Sequence, residues 1–125
     1  MLTLLAAVTC LVVVIAGPAH WTLVEAGFRL VCHQIPERSL WIAGTPMPVC
    51  ARCTGLYFGA LAALLSRIPA PRPALLAAVA LMILDVASEA AGLRPALAGL
   101  RLATGLALGF AAAPAVDSAI RDMRA

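Results

Sequence analysis

Lysine is absent. The basic charge rests on Arg29, Arg38, Arg52, Arg67, Arg72, Arg94, Arg101, Arg121 and Arg124, and no two of these are adjacent. Aromatic residues make up only 5% of the 125 residues and do not alternate with the arginines. With neither a basic run nor a basic–aromatic patch, nucleic-acid binding has no support. Charged residues amount to 12%, about half the roughly 25% of a soluble domain. A soluble surface therefore cannot be built from this chain without leaving most of its apolar residues in water. With 63% hydrophobic residues and a mean hydropathy of +1.00, the sequence reads as a single integral membrane domain, residues 1–125, with no soluble module. The lipid bilayer is its expected partner, and a prokaryotic inner (cytoplasmic) membrane its expected location.

The apolar sequence is interrupted at definite places. Met1 to Gly17 is nearly unbroken apolar sequence without the basic flank of a signal peptide, so it reads as a retained first span over about 2–17. A polar interval, 20–53, follows. His20-Trp21 marks a membrane–water boundary, and Glu25 with Arg29 forms an i,i+4 pair on a short interfacial or re-entrant helix. Gly44-Thr45-Pro46-Met47-Pro48 reads as a turn, because glycine and proline oppose a regular element. Further spans are expected over about 54–66, 74–91 and 96–116, separated by Arg67-Ile68-Pro69-Ala70-Pro71-Arg72-Pro73 and by Gly92-Leu93-Arg94-Pro95. The tail from Asp117 reads as polar and frayed. The expected fold is thus all-α: four transmembrane helices, with a short interfacial helix and a cysteine-containing loop between the first two. The arginine distribution favours cytoplasmic termini and an external cysteine interval.

Two segments echo each other. Thr54-Gly55-Leu56-Tyr57-Phe58-Gly59 and Thr104-Gly105-Leu106-Ala107-Leu108-Gly109 share T-G-L-x-x-G. Small residues four apart let helices approach closely in lipid. They read as packing faces within one chain rather than for dimerisation.

Three of the four cysteines, Cys32, Cys50 and Cys53, fall in the polar interval together with His33; Cys10 lies in an apolar run and reads as a packing residue. A C-x-x-C pair with a third thiol and an imidazole suits zinc or another transition metal, with Cys32, His33, Cys50 and Cys53 as ligands. The same pair suits thiol–disulfide exchange, since a helix start and Arg52 between the thiols both favour thiolate. Plain packing or a structural disulfide is the bland alternative. A second constellation is intramembrane. Asp85 and Glu89 lie one turn apart on one helix face, and Arg101, with Arg94 nearby, is the expected partner, Asp85 with Arg101 first. A buried ion-pair network pinning two helices explains these charges as well as a polar pocket does. Such a pocket, completed by Arg38, Arg52 and Tyr57, would suit a carrier of a small molecule or ion. Metal binding, thiol redox chemistry and carriage are the three readings, and the candidate partners are a small-molecule ligand or a second copy of the chain.

The blocks Cys32-His33-Gln34-Ile35-Pro36-Glu37-Arg38-Ser39 and Pro48-Val49-Cys50-Ala51-Arg52-Cys53-Thr54-Gly55-Leu56-Tyr57 resemble the small prokaryotic membrane proteins grouped as domain of unknown function 2085. That family shows C-H-Q-x-P-x-R-S and then P-V-C-A-R-C-T-G-[IL]-Y. The likeness extends more loosely over about 30–110. The family's D-G-x-x-Q becomes Asp85-Val86 with Glu89 at the amide position, whereas Arg94 and Leu100-Arg101-Leu102-Ala103-Thr104-Gly105 match. The resemblance implies a membrane architecture and a shared site, and carries no reaction with it.

Overall fold

The computed structural model describes residues 21–125 together with Leu4, Leu5, Val8, Leu11 and Ile15. The expected first span, Cys10 and His20 lie outside the described residues. In order come α1 (Trp21–Phe28), a 3-10 turn (Pro36–Arg38), β1 (Ser39–Ile42), β2 (Thr45–Cys50), α2 (Ala51–Ser66), α3 (Arg72–Ala90) and α4 (Ala98–Arg124).

The expectation of four transmembrane helices fails. Among the described residues only α3, with 19 residues, and α4, with 27, are long and apolar enough to cross a membrane. α2 is held to 16 residues by Cys50 at one end and the left-handed Arg67 at the other. At 1.5 Å per residue it spans about 24 Å, short of a hydrocarbon core of about 30 Å.

The segment expected to be a turn is a strand. β1 and β2 form an antiparallel hairpin in which Ile42 faces Thr45, Trp41 faces Pro46 and Ser39 faces Cys50. The turn is Ala43-Gly44, both with positive φ (51° and 75°), the combination a tight two-residue hairpin needs. Ile42 and Thr45 flank that turn. One step on, Pro46 takes a position whose missing N–H would point away from β1, and beyond it the register shifts before Ser39 meets Cys50. A two-stranded ribbon is all edge, so both prolines are tolerated.

The tail also departs from expectation, since α4 continues through Pro114 to Arg124. An ion pair between Arg121 and Asp117 and a hydrogen bond from Ser118 Oγ to the Ala115 carbonyl (2.9 Å) support its last turns.

α2 and α4 form the closest helix pair, and the two T-G-L-x-x-G segments are its seam. A Cβ on Gly55 would collide with the Leu102 carbonyl, and one on Gly59 with the Leu106 carbonyl. Reciprocally, a Cβ on Gly105 would strike the carbonyl of Arg52, and one on Gly109 that of Leu56. Contacts advance in the same direction along both helices, so the pair is parallel, and residues fifty apart in sequence swap roles about a local two-fold. Glycine permits backbone to touch backbone here. α3 returns antiparallel and packs on α4. It buries only Ala78 and Asp85 while exposing Leu76, Leu81, Ile83 and Leu84. A helix with its carboxylate inside and its leucines outside is arranged for lipid. At the N-terminal end of α2 a separate cluster of Trp21, Phe28, Cys32, Met47 and Val49 ties α1 to the hairpin.

Candidate functional site

Cys32 follows α1, Cys50 ends β2, and Cys53 lies in the first turn of α2. Three elements thereby deliver three thiols, and their Sγ atoms all lie within 4.8 Å of one another. The backbone pins them. The Cys50 N–H donates to Cys32 Sγ at 3.2 Å, and the Cys53 N–H donates to Cys50 Sγ at 3.4 Å, which makes Cys50 the N-cap of α2. Thr54 Oγ1 donates to the Cys50 carbonyl at 3.0 Å and closes that first turn. Cys32 is buried, and the other two are half-buried. All three are free thiols.

The environment separates the C-x-x-C pair. A hydrogen bond from the Cys53 side chain, joined by the Cys53 and Arg52 backbone amides and by Cys32, holds the Cys50 thiol down to about 5 against the opposing effect of burial. The same side-chain bond, followed by burial and the neighbouring thiols, pushes Cys53 up. Of the two, Cys50 is the thiol that ionises first.

His33 is not part of this group: its side chain is exposed, and the cluster of candidate ligand atoms among the described residues contains the three thiols alone. Cys32 faces inward after the last turn of α1, whereas the next residue, His33, is exposed. Tyr57 packs edge-on against Phe28, with ring centroids 5.9 Å apart, at the margin of the apolar cluster that includes Cys32.

The ion cluster lies beside the thiols, where α2, α3 and α4 meet. Its pairing differs from the expected one. Asp85 is bound by Arg52 and Arg94 and receives Thr104 Oγ1 at 3.3 Å. Arg101 does not pair with it; Arg101 grips Glu89 through Nε (2.9 Å) and Nη2. Arg52 comes to 3.7 Å and Arg38 to 3.9 Å of the same Glu89 carboxylate. One turn of helix separates the two acids, and the arginine early in α4 meets the later of them because α4 starts beside the end of α3. Two members escaped the sequence reading. Thr104 belongs to the L-R-x-x-T-G segment, three residues beyond Arg101. Ser88 stands three beyond Asp85 and accepts from Arg94 Nε at 2.9 Å. Helical spacing from a buried charge was the available signal for both.

The profile of a family described as predicted membrane protein (DUF2085) matches residues 32–114, which takes in both sites. The chain belongs to that family. Among its relatives, an uncharacterised protein of Methanocaldococcus jannaschii is 37% identical over 95 residues, covering 68% of this chain and 60% of its own length. An uncharacterised protein of Methanothermobacter thermautotrophicus is 38% identical over 90 residues, 66% of this chain and 81% of its own. The chain therefore spans somewhat under two thirds of the first of these. No solved structure matches it.

Proposed function

We propose that this DUF2085 protein is a prokaryotic cytoplasmic-membrane protein that binds a transition metal, zinc by default, through Cys32, Cys50 and Cys53. The observation that carries the reading is the convergence of three Sγ atoms within 4.8 Å from three elements. Zinc–sulfur bonds of about 2.3 Å in a tetrahedron place sulfurs roughly 3.8 Å apart, so the set needs only a small contraction. Ligation by three thiolates would displace the thiol protons of the whole set. Three thiolates leave one coordination position. His33, beside Cys32, takes it by turning inward, or a ligand from solution does. In this reading lipid is the partner of α3 and α4.

A second reading has one observation in its favour, the Cys53 N–H donated to Cys50 Sγ at the start of α2, which favours a thiolate at Cys50. In it, Cys50 thiolate attacks a partner disulfide, Cys53 resolves the mixed disulfide, and the partner leaves as two thiols while the C-x-x-C becomes a disulfide.

Metal analysis of the protein purified under reducing conditions separates the two. Stoichiometric zinc, copper or iron that is lost in Cys50→Ser and in Cys53→Ser, with Cys10→Ser unaffected, supports ligation. Retention of metal in His33→Ala gives the fourth position to another ligand. Protein that is metal-free and takes up none of the three metals refutes the proposal.

A further inference from the structure

Four arginines converge on two carboxylates in the ion cluster. Arg52 and Arg94 hold Asp85, Arg101 holds Glu89, and Arg38 and Arg52 stand within 4.0 Å of Glu89. Four guanidiniums against two carboxylates leave two positive charges unmatched. A thiolate at Cys50, or a divalent ion on three thiolates, cancels one of them, and at least one remains in either case. The excess is poorly hydrated, since Arg101 is 1% exposed and the Arg52 and Arg94 side chains 23% and 20%. Arginine does not relieve such an imbalance by losing its proton. A buried like-charge cluster of this kind calls for a counter-anion.

Two details bear on where such an anion would sit. Arg52 Nε is buried without a hydrogen-bond partner, although the same guanidinium binds Asp85. Arg38, with a side chain 48% exposed, lies 3.9 Å from Glu89, beyond hydrogen-bond reach. It stands at the mouth of the cluster with donors to spare. Planar guanidiniums match oxyanions in a fork geometry, and phosphate carries the one to two charges required. The site lies at the ends of the two apolar helices, since Arg94 follows α3 and Arg101 is in the first turn of α4. If α3 and α4 span the bilayer, such helix ends lie near the lipid headgroups.

We propose that Arg38 and Arg52, backed by Arg101, form a binding site for a phosphate oxyanion, presented either by free phosphate or by the headgroup of an anionic phospholipid. The proposal does not depend on metal at the thiols, because the charge excess persists with or without it.

The test uses the full chain, delipidated in a neutral detergent. The probes are inorganic phosphate by calorimetry and phosphatidylglycerol against phosphatidylcholine by native mass spectrometry. Arg38→Gln is the principal variant, because its side chain is half exposed and its loss leaves Asp85 with Arg52 and Arg94 and leaves Glu89 with Arg101. Arg121→Gln, on α4 at the opposite end, is the control. Arg38→Gln should weaken the anion about tenfold or more, as loss of a charge-assisted hydrogen bond does, and Arg121→Gln should not. Phosphate binding that also displaces phosphatidylglycerol identifies the free oxyanion as sufficient. Phosphatidylglycerol retention without phosphate binding identifies the headgroup. Absence of both, no preference over phosphatidylcholine with no phosphate heat, or equal weakening by the two substitutions overturns the proposal.

Discussion

Glu89→Gln should be among the most damaging single changes in this chain, and more damaging than Arg101→Gln. The difference follows from what each leaves behind. Arg101 is 1% exposed, and Glu89 is its only carboxylate partner among the described residues. Removing the acid strands a guanidinium in a low-dielectric site, a loss of about 3–5 kcal/mol when the site is fully buried. A glutamine oxygen still accepts one hydrogen bond, which places the cost toward the lower figure. Removing Arg101 instead leaves Glu89 with Arg52 at 3.7 Å and Arg38 at 3.9 Å. The acid keeps counter-charges, and the cost falls to about 1–3 kcal/mol. The double change should cost less than the sum, with a coupling of about 1–3 kcal/mol. Equilibrium unfolding in mixed micelles, followed by helical circular dichroism, measures all three. The companion cycle of Asp85→Asn with Arg101→Gln should show the weaker coupling, because Asp85 binds Arg52, Arg94 and Thr104. Additivity of Glu89 and Arg101 within about 0.5 kcal/mol, or stronger coupling of Arg101 to Asp85, refutes this pairing. Single changes that leave stability untouched while abolishing ligand binding would make the cluster a binding device without a structural role.

Gly105→Leu should separate α2 from α4, because even a Cβ there meets the Arg52 backbone; the loss is at least the 1–3 kcal/mol or so of an overpacked core, and Gly99→Leu, at a site with open space, is the control. The Arg67–Arg72 linker and the arginine-bearing tail should lie on the cytoplasmic face, away from the thiols, since α2 runs from Cys50 to Arg67 in one direction. A single new thiol at Ala70, in a background lacking the native cysteines, should resist an impermeant reagent in intact cells; ready labelling reverses the orientation and puts the cysteines in a reducing compartment.

What was legible in the sequence was mostly what local chemistry dictates. The proline-rich Arg67–Pro73 stretch stops α2 whatever surrounds it, and the glycine repeats, though common in small-residue membrane helices, marked the faces where backbones approach closely. The three thiols could be picked out by composition, as cysteine in a polar interval is conspicuous in so apolar a chain. The hairpin could not. Pro46 and Pro48 argue against a strand only if both sides of the strand need hydrogen bonds, and the sequence does not say that β2 has one neighbour. The span count failed for a related reason. Hydropathy sees Ala51–Ser66 as apolar, but its length is fixed by a sulfur cap and a left-handed arginine at its two ends. The partner of Arg101 was a choice between two acids one turn apart, a difference of about 6 Å along α3, which sequence spacing does not resolve across a loop.

The first turn of α2 leaves no residue idle. Ala51 is fully buried, Arg52 reaches the carboxylates of α3, Cys53 joins the thiols, and Thr54 ties back to Cys50. Successive residues on a helix are set about 100° apart, so this one turn faces two chemistries at once, and the Gly105 contact on the Arg52 carbonyl denies it lateral play. An occupant of the thiols that rotates or lifts the turn must drag the Arg52 guanidinium with it. Thermodynamic reciprocity then applies. Whatever factor the first occupant imposes on an anion at the arginines, the anion imposes on that occupant in return.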